Sequence, residues 1–455
     1  LILIILLFFC SLRFEVMSLL RLSPEIEAIK VKLDSFVKER CQPAEREYDL
    51  HLKNRTGRDR WTMEAIPPCI ERLKTEAKAL GLWNLFIPPH LYKQVPCCAP
   101  SLLLSYREYG ILCESMGKSF LAPEACNSNA PDTGNMEVLL HFGTRMQKEK
   151  YLIPLLKGEI RSAFLMTEPD VASSDATNIA TTLTKVERTN GDVSYILNGS
   201  KWWSTGALDP RCRVALVLAR MDYSQCKTDG NNLLSNNSHH GAHTVVVVDM
   251  DNVEIVRPLT VMGYDDAPHG HAQVNLTNIH LTADDLIIGE GSGFSVAQAR
   301  LGPGRIHHCM RAIGMAVRCY DLMCERALSR KTFGKYISEH GGCQEMIADS
   351  ASDIEAARLL TLSCAEEMDF HGARAARDKI ASIKVAVPAL TSRVVDRAVQ
   401  IHGGAGVDDK LPLARILVGL RTLRIADGPD AVHRRTVARI ELRKAAKRIA
   451  THSKL

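Results

Sequence analysis

Residues 176–290 read as short runs of Thr, Val and Ile broken by turn residues, while the sequence on both sides repeats its apolar residues at helical spacing. Val214-Ala215-Leu216-Val217-Leu218 and Thr244-Val245-Val246-Val247-Val248 have the length and composition of strands. Tyr195-Ile196-Leu197 predicts a further strand, closed by a turn at Asn198-Gly199. Before this region, Ile26, Ile29, Leu33 and Phe36-Val37 recur one helical turn apart, as do Ile70, Leu73, Ala77 and Leu80 up to a stop at Gly81. After it, Ile313, Val317, Tyr320, Cys324 and Leu328 predict the buried stripe of a long helix. Helices then run to the C-terminus with breaks at Gly403-Gly404 and Gly428-Pro429. The order excludes a regular βα alternation, and no G-x-G-x-x-G follows a strand, so a dinucleotide-binding Rossmann unit is not expected. The expected class is α+β. A helical domain covers residues 18–160, a β domain 161–290 and a second helical domain 291–455.

A chain of 455 residues, 46% hydrophobic and 24% charged, is long enough to pack three such units. Its net charge of +5 comes without an aromatic-interleaved basic patch, so no nucleic-acid partner is expected. The basic residues from Arg434 to Arg448 read as a solvated helix face. The 14 cysteines are scattered without zinc spacing and read as reduced thiols that pack as small hydrophobes, with no metal. The opening L-I-L-I-I-L-L-F-F-C-S-L is too short to span a bilayer and lacks the basic flank of a signal peptide. Residues 1–17 are therefore set aside as a leader or upstream segment, and no membrane span is expected. The polar stretch Asp222 to His243 reads as a surface loop carrying an idle sequon, Asn236-Asn237-Ser238. Ser453-Lys454-Leu455 is the tripeptide read by the peroxisomal import receptor, so the peroxisome is the expected location, with the mitochondrion as the alternative.

Four motifs carry a resemblance. They are Phe164-Leu165-Met166-Thr167-Glu168-Pro169 with Ser173-Ser174-Asp175, then Asn198-Gly199-Ser200-Lys201-Trp202-Trp203-Ser204-Thr205, then Arg330-Lys331-Thr332-Phe333-Gly334, and last Gln400-Ile401-His402-Gly403-Gly404. In that order they resemble the T-E-P…S-D, N-G-x-K-x-W-x-T, R-x-x-F-G and Q-x-x-G-G elements of the acyl-CoA dehydrogenases. Asp132-Thr133-Gly134-Asn135, Gly263-Tyr264-Asp265-Asp266-Ala267-Pro268 and Leu301-Gly302-Pro303-Gly304-Arg305 look most like the branch containing family members 10 and 11, in its dehydrogenase region alone. The resemblance implies an N-terminal helical domain, a β-barrel-like middle domain and a C-terminal four-helix bundle. It also implies FAD. Phe164, Met166 and Thr167 would lie along the polar edge of the ring, Trp203 would stack on it, and Thr205 would approach N5. Read alone, Trp203 is a half-buried strand aromatic. Ser174 would lie near the pyrophosphate and the acyl-CoA, although one extra residue after Pro169 leaves the register of Ser173 against Ser174 open. Arg330, Phe333, Gln400, Gly403 and Gly404 would reach FAD held mainly by a neighbouring subunit, in a homodimer or dimer of dimers. A guanidinium fork suits a pyrophosphate, and glycine lets backbone approach a ligand closely. Read alone, these are a helix-end cation and a helix stop.

In this family one carboxylate takes the α-proton of an acyl-CoA thioester while the β-hydrogen leaves as hydride to the flavin. In many members that carboxylate is a Glu before Gly, just ahead of the final helix. Asp427-Gly428 stands there, with an arm one methylene shorter. Other members carry a Glu on the earlier helix, but Leu301 to Arg305 holds no carboxylate. Asp427 is thus the expected base, its pKa raised from near 3.9 by a dry pocket. A helix N-cap is the bland alternative, and Asp430 is a competing acid. The resemblance also gives Pro429, Asp430 and Ala431 to FAD, and Gly428 and Arg305 to acyl-CoA. His307 and His308 read as satisfied polar contacts. The leading expectation is FAD-dependent conversion of an acyl-CoA, of long chain, to a trans-2-enoyl-CoA, with an electron-transferring flavoprotein as the family's usual acceptor. That acceptor is mitochondrial and sits uneasily with Ser453-Lys454-Leu455. The alternatives are a peroxisomal acyl-CoA oxidase, which the tripeptide favours and the length opposes, a nitroalkane-oxidase-like flavoenzyme, and a non-catalytic flavin-binding structural protein.

Overall fold

A computed structural model describes residues 20–187, 191–225 and 242–452. The apolar leader, the sequon and Ser453-Lys454-Leu455 lie outside the described residues. The N-terminal part holds helices α1 (Pro24–Phe36), α2 (Gln42–Lys53), α3 (Pro68–Ala79), α4 (Tyr106–Gly117) and α5 (Asp132–Phe142). The Ser23 hydroxyl caps α1 by accepting the Ile26 N–H, and a Ser105/Glu108 capping box opens α4. Ile26, Leu33, Phe36 and Val37 are buried as their spacing requires, and so are Ile70, Leu73 and Ala77.

Seven strands follow: β1 (Arg161–Leu165), β2 (Thr182–Glu187), β3 (Val193–Thr205), β4 (Cys212–Gln225), β5 (His243–Asp249), β6 (Glu254–Leu259) and β7 (His271–Leu281). They form one mixed sheet in the order β1-β4-β2-β3-β7-β6, with β5 on the other edge of β4. β1 and β2 run parallel to β4 and share its edge, β1 along the first half and β2 along the second. The chain from Met166 to Thr181 is the excursion between them. Glu168 closes it by accepting the Ala180 and Thr181 N–H groups at 2.7 and 2.9 Å.

The turn expected at Asn198-Gly199 is absent. β3 runs straight through it, with a register shift between Leu197 and Gly199. The glycine serves a close approach instead, since a Cβ there would lie 2.3 Å from the Thr181 hydroxyl. A second bulge between Lys201 and Ser204 turns Trp203 to φ +51°. Beneath it Lys201, fully buried, donates to Glu168 at 2.8 Å, to Met166 O at 3.0 Å and to Leu218 O at 2.7 Å. Lys201→Met would leave the Glu168 carboxylate buried without its cation. It is expected to cost about 3–5 kcal/mol, read as a lower denaturant midpoint, and an unchanged midpoint would refute this.

The N-terminal part is locked to the sheet by buried charges. Glu124 Oε1 meets Arg161 at 2.8 Å and Arg211 at 2.9 Å, and Arg161 also binds Asp132. His269 bridges Glu124 and Asp209, one ring nitrogen to each, both at 2.8 Å.

The C-terminal part holds α6 (Gly293–Ser329), α7 (Gly341–Ala375), α8 (Arg377–His402), α9 (Leu413–Leu423) and α10 (Asp430–His452), with α8 packed on α6, α7 and α10. The stripe expected on α6 is corrected. Ile313 is buried, but Leu328 is 69% exposed, and the buried face runs Ile306, Cys309, Met310, Ile313, Ala316, Met323 and Ala327. Small Cys and Ala side chains let neighbouring helices approach closely, so the core stripe carries fewer large residues than a search for bulky side chains expects. Of the described cysteines, nine are buried and none is bridged. Among the described residues no helix is long and apolar enough to cross a membrane, and no His, Cys, Asp and Glu cluster could hold a metal.

Candidate active site

The connection between α9 and α10 brings Asp427 against Arg305 and His308 in the first half of α6. Asp427 and Gly428 take consecutive left-handed conformations, φ +55° and +98°, which Asp tolerates better than most residues. The Asp427 carbonyl accepts from Arg305 Nε and from the His433 ring, each at 3.1 Å. Lys384 donates to Leu423 O at 2.7 Å and Ala426 O at 2.9 Å, which fixes the end of α9. The Asp427 carboxylate faces the His308 ring at 3.5 Å. The helix acid is Asp430, paired with Arg424 at 2.7 Å. A Cβ on Gly428 would sit 2.7 Å from His433 Nε2. Gly428→Ala is therefore expected to push the His433 ring off the Asp427 carbonyl and to cost about 1–3 kcal/mol. Melting temperature is the readout, and an unshifted melt would contradict the contact.

The electrostatics reverse one expectation. Burial alone would raise the Asp427 pKa, but His308 and the cations Arg300, Lys384 and Arg305 outweigh it and hold the carboxyl below its ordinary value. Burial, then Arg311, pushes His308 down to about 3, so the standing positive charge at neutral pH belongs to the three cations. The bland reading holds for His308, whose ring meets Arg311 and Asp427, and is corrected for His307. His308 lies against the carboxylate, and buried His307 packs edge-on to Tyr109 at 4.6 Å with no hydrogen-bond partner for Nε2 among the described residues. Glu137, buried nearby, is pushed up to about 8 by burial despite Arg300, and its Oε1 is unpartnered among the described residues.

Arg300 ties this cluster to the sheet. Its guanidinium lies 4.0 Å over the Phe164 ring, and its Nε donates to Asn135 at 3.1 Å. A Cβ on Gly134 would press on the Arg300 side chain at 3.1 Å. The Asp132-Thr133-Gly134-Asn135 motif thus has a local explanation: Asp132 holds Arg161, Gly134 makes room for Arg300, and Asn135 holds it.

Met166 and Thr167 are half-buried at the end of β1, where Met166 O accepts from Lys201 and Thr167 O accepts the Trp202 N–H at 2.9 Å. Trp203 is 40% exposed on its bulge, and Thr205 is half-buried beside it. Ser173 is consumed by the excursion, its hydroxyl accepting the Glu168 N–H at 2.9 Å, while Ser174 is exposed. Pro429 and Asp430 are half-buried, and Ala431 is exposed. Phe164, at the end of β1, reaches the Asp427 loop through Arg300, and His271, which touches Thr205 and Trp203, shares a cavity with Thr422 at the end of α9. Arg330, Phe333, Gln400, Gly403 and Gly404 are all exposed. Arg330 follows the last turn of α6, about 37 Å along the helix from Arg305.

The local chemistry fits FAD. Trp203 offers an uncovered aromatic face beside carbonyl and hydroxyl groups, Phe333 is 98% exposed, and a Cβ on Gly403 or Gly404 would meet nothing within 4 Å. Sequence reasoning missed Arg300, Lys384, His308 and Glu137. A signal existed for three of them. Arg300, Gly304 and His308 are spaced i, i+4, i+8 on one helix face, and Lys384 is a lone cation inside the apolar stripe Ile380, Ile383 and Val387.

Comparison with known proteins gives three family matches: Acyl-CoA dehydrogenase, N-terminal domain, over residues 23–159; middle domain, over 163–277; and C-terminal domain, over 291–442. The sequence is 45% identical over 427 residues to acyl-CoA dehydrogenase family member 11 of Homo sapiens, covering 93% of this chain and 51% of that one. It is 43% identical over 414 residues to FadE2 of Mycobacterium tuberculosis, covering 91% and 94%. A solved structure from Mycobacterium abscessus, assigned as an acyl-CoA dehydrogenase, superposes with a TM-score of 0.83 at 43% identity, covering 93% of this chain and all of that one. The chain spans about half the length of the first curated relatives it matches.

Proposed function

We propose that this chain, which belongs to the acyl-CoA dehydrogenase family, uses bound FAD to convert an acyl-CoA thioester, of long chain, into a trans-2-enoyl-CoA. The observation that carries the reading is the carboxylate of Asp427, set against His308 among Arg300, Lys384 and Arg305 on a backbone pinned by Arg305 and His433. When bound, FAD supplies the acceptor for the β-hydride. Asp427 takes the α-proton. Arg300, Lys384 and Arg305 keep it ionised in the free protein, and an ionised group is what a base must be before it acts. The same cations weaken its pull on a proton, so the drive comes from exclusion of water when the thioester fills the cleft. Gly428, lacking a side chain, lets the thioester end come close. Asp430 is spent on Arg424 and does not compete.

The exposed residues Arg330, Phe333, Gln400, Gly403 and Gly404 serve the FAD of a second copy, in a dimer or a dimer of dimers. Arg330 lies at the far end of α6 from Arg305, and Gln400, Gly403 and Gly404 lie at the far end of α8 from Lys384, which supports that reading. An electron-transferring flavoprotein is the proposed electron acceptor.

The test is anaerobic titration of the purified, flavin-loaded protein with acyl-CoA thioesters of graded chain length. Bleaching of the flavin absorbance, strongest with long chains, is expected. No bleaching with any thioester despite bound flavin would overturn the proposal. Rapid recolouring with peroxide on admitting oxygen would make the protein an oxidase.

A further inference from the structure

We infer that His271 is a positioning residue that fixes the Thr205 hydroxyl for the flavin, the Thr205 O–H donating to His271 Nδ1 so that the oxygen lone pairs turn toward the ring. The inference rests on the function proposed above, and His271 itself lies outside the family motifs. Thr205 ends β3 and His271 begins β7, and the two are direct cross-strand partners. Thr205 Oγ1 and His271 Nδ1 are 3.0 Å apart. The bulge at Trp202-Trp203 brings the Trp203 ring to 5.8 Å from the imidazole, so one ring supports both residues expected at the flavin. Its backbone is held in turn. Gly270 O accepts the Gly206 N–H at 2.9 Å, and His269, two residues before, is clamped between Glu124 and Asp209. His271 also lines a cavity of about 280 Å³ with Tyr264, Asp266, Met315 and Thr422. Burial outweighs Asp266 and keeps the ring neutral at pH 7, so one ring nitrogen is free to accept.

A hydroxyl has a single hydrogen. Once that hydrogen is committed to Nδ1, the oxygen can only accept a hydrogen bond on its other side. Such an acceptor favours the form of the ring that carries N5–H over the form that does not. Releasing the hydroxyl from His271 removes that preference.

The test measures the flavin reduction potential of the loaded protein for wild type, His271→Ala, Thr205→Val, the double mutant and His271→Asn. His271→Ala and Thr205→Val are each expected to move the potential to a more negative value, and the double mutant no further than Thr205→Val alone. His271→Asn, whose amide oxygen accepts in place of Nδ1, is expected to recover most of the shift. Bleaching by acyl-CoA is expected to slow about fivefold in His271→Ala, the size of one lost hydrogen bond. An unchanged potential in His271→Ala, or shifts that add in the double mutant, overturns the inference. If His271→Ala does not load FAD, His271→Asn decides: a potential near wild type supports it, and one equal to that of Thr205→Val overturns it. These potentials need no acyl-CoA, so a wild type that holds FAD and ignores every thioester would sink the proposed function and leave the His271 comparison standing.

Discussion

Asp427→Asn is expected to keep the fold and the bound flavin yet slow bleaching by acyl-CoA roughly 10²- to 10⁴-fold, the usual contribution of a positioned base. The substitution removes the charge and the proton affinity together while preserving shape. The loop conformation depends on the Asp427 carbonyl, held by Arg305 and His433, and on Gly428, none of which changes. Asn also tolerates the left-handed backbone at φ +55°. Unchanged bleaching would move the base elsewhere, with Glu137 the first place to look. A pH profile sharpens the test. Asp427 is held below its ordinary value in the free protein, so the acid limb of kcat/KM is expected at low pH. The limb of kcat, which reports the filled cleft, is expected at higher pH because the substrate has excluded water. Coincident limbs would show that filling the cleft does not alter the base.

His269→Gln is expected to cost about 3–5 kcal/mol of stability, the size seen when one partner leaves a buried ion cluster. The cluster balances three acids, Glu124, Asp132 and Asp209, against Arg161, Arg211 and a charged His269. Burial alone would discharge His269, but Glu124 and Asp209 more than compensate and push its pKa up to about 9. Because the folded value lies above the ordinary one near 6.5, the stability it contributes is fully present below about pH 6.5 and is lost as pH rises through about 9. The wild type should therefore weaken between those limits, and His269→Gln should be weaker throughout without that particular loss. Denaturant midpoints across pH 6 to 10 measure both. A variant as stable as wild type at pH 6.5 would show that His269 carries no charge in the fold.

Much of the fold is legible in the sequence because each element is specified by neighbours along the chain. The apolar runs Val214–Leu218 and Thr244–Val248 lie in strands wherever the rest of the molecule goes, and Gly403 and Gly428 break helices because their own backbones demand positive φ. Mistakes arose where a distant segment overrode the local rule. Asn198-Gly199 is good turn chemistry, yet Thr181 crosses so closely there that glycine is needed inside a continuous strand. The α6 stripe shifted because α8 and α4 choose which face is buried.

The motifs likewise point to Asp427, Trp203 and Thr205 as residues to follow, since short patterns mark positions. They do not give the charge that surrounds them. Arg300 and Arg305 on α6, Lys384 on α8 and Asp427 before α10 meet only after the bundle packs. Sequence alone determined the order of helix, sheet and helix, because it is written in residues adjacent along the chain, and it singled out Asp427 as the carboxylate to test. Tertiary structure alone decided whether that carboxylate is held charged or neutral. Desolvation and Coulomb energy depend on distances through space, and no pattern along the chain contains them.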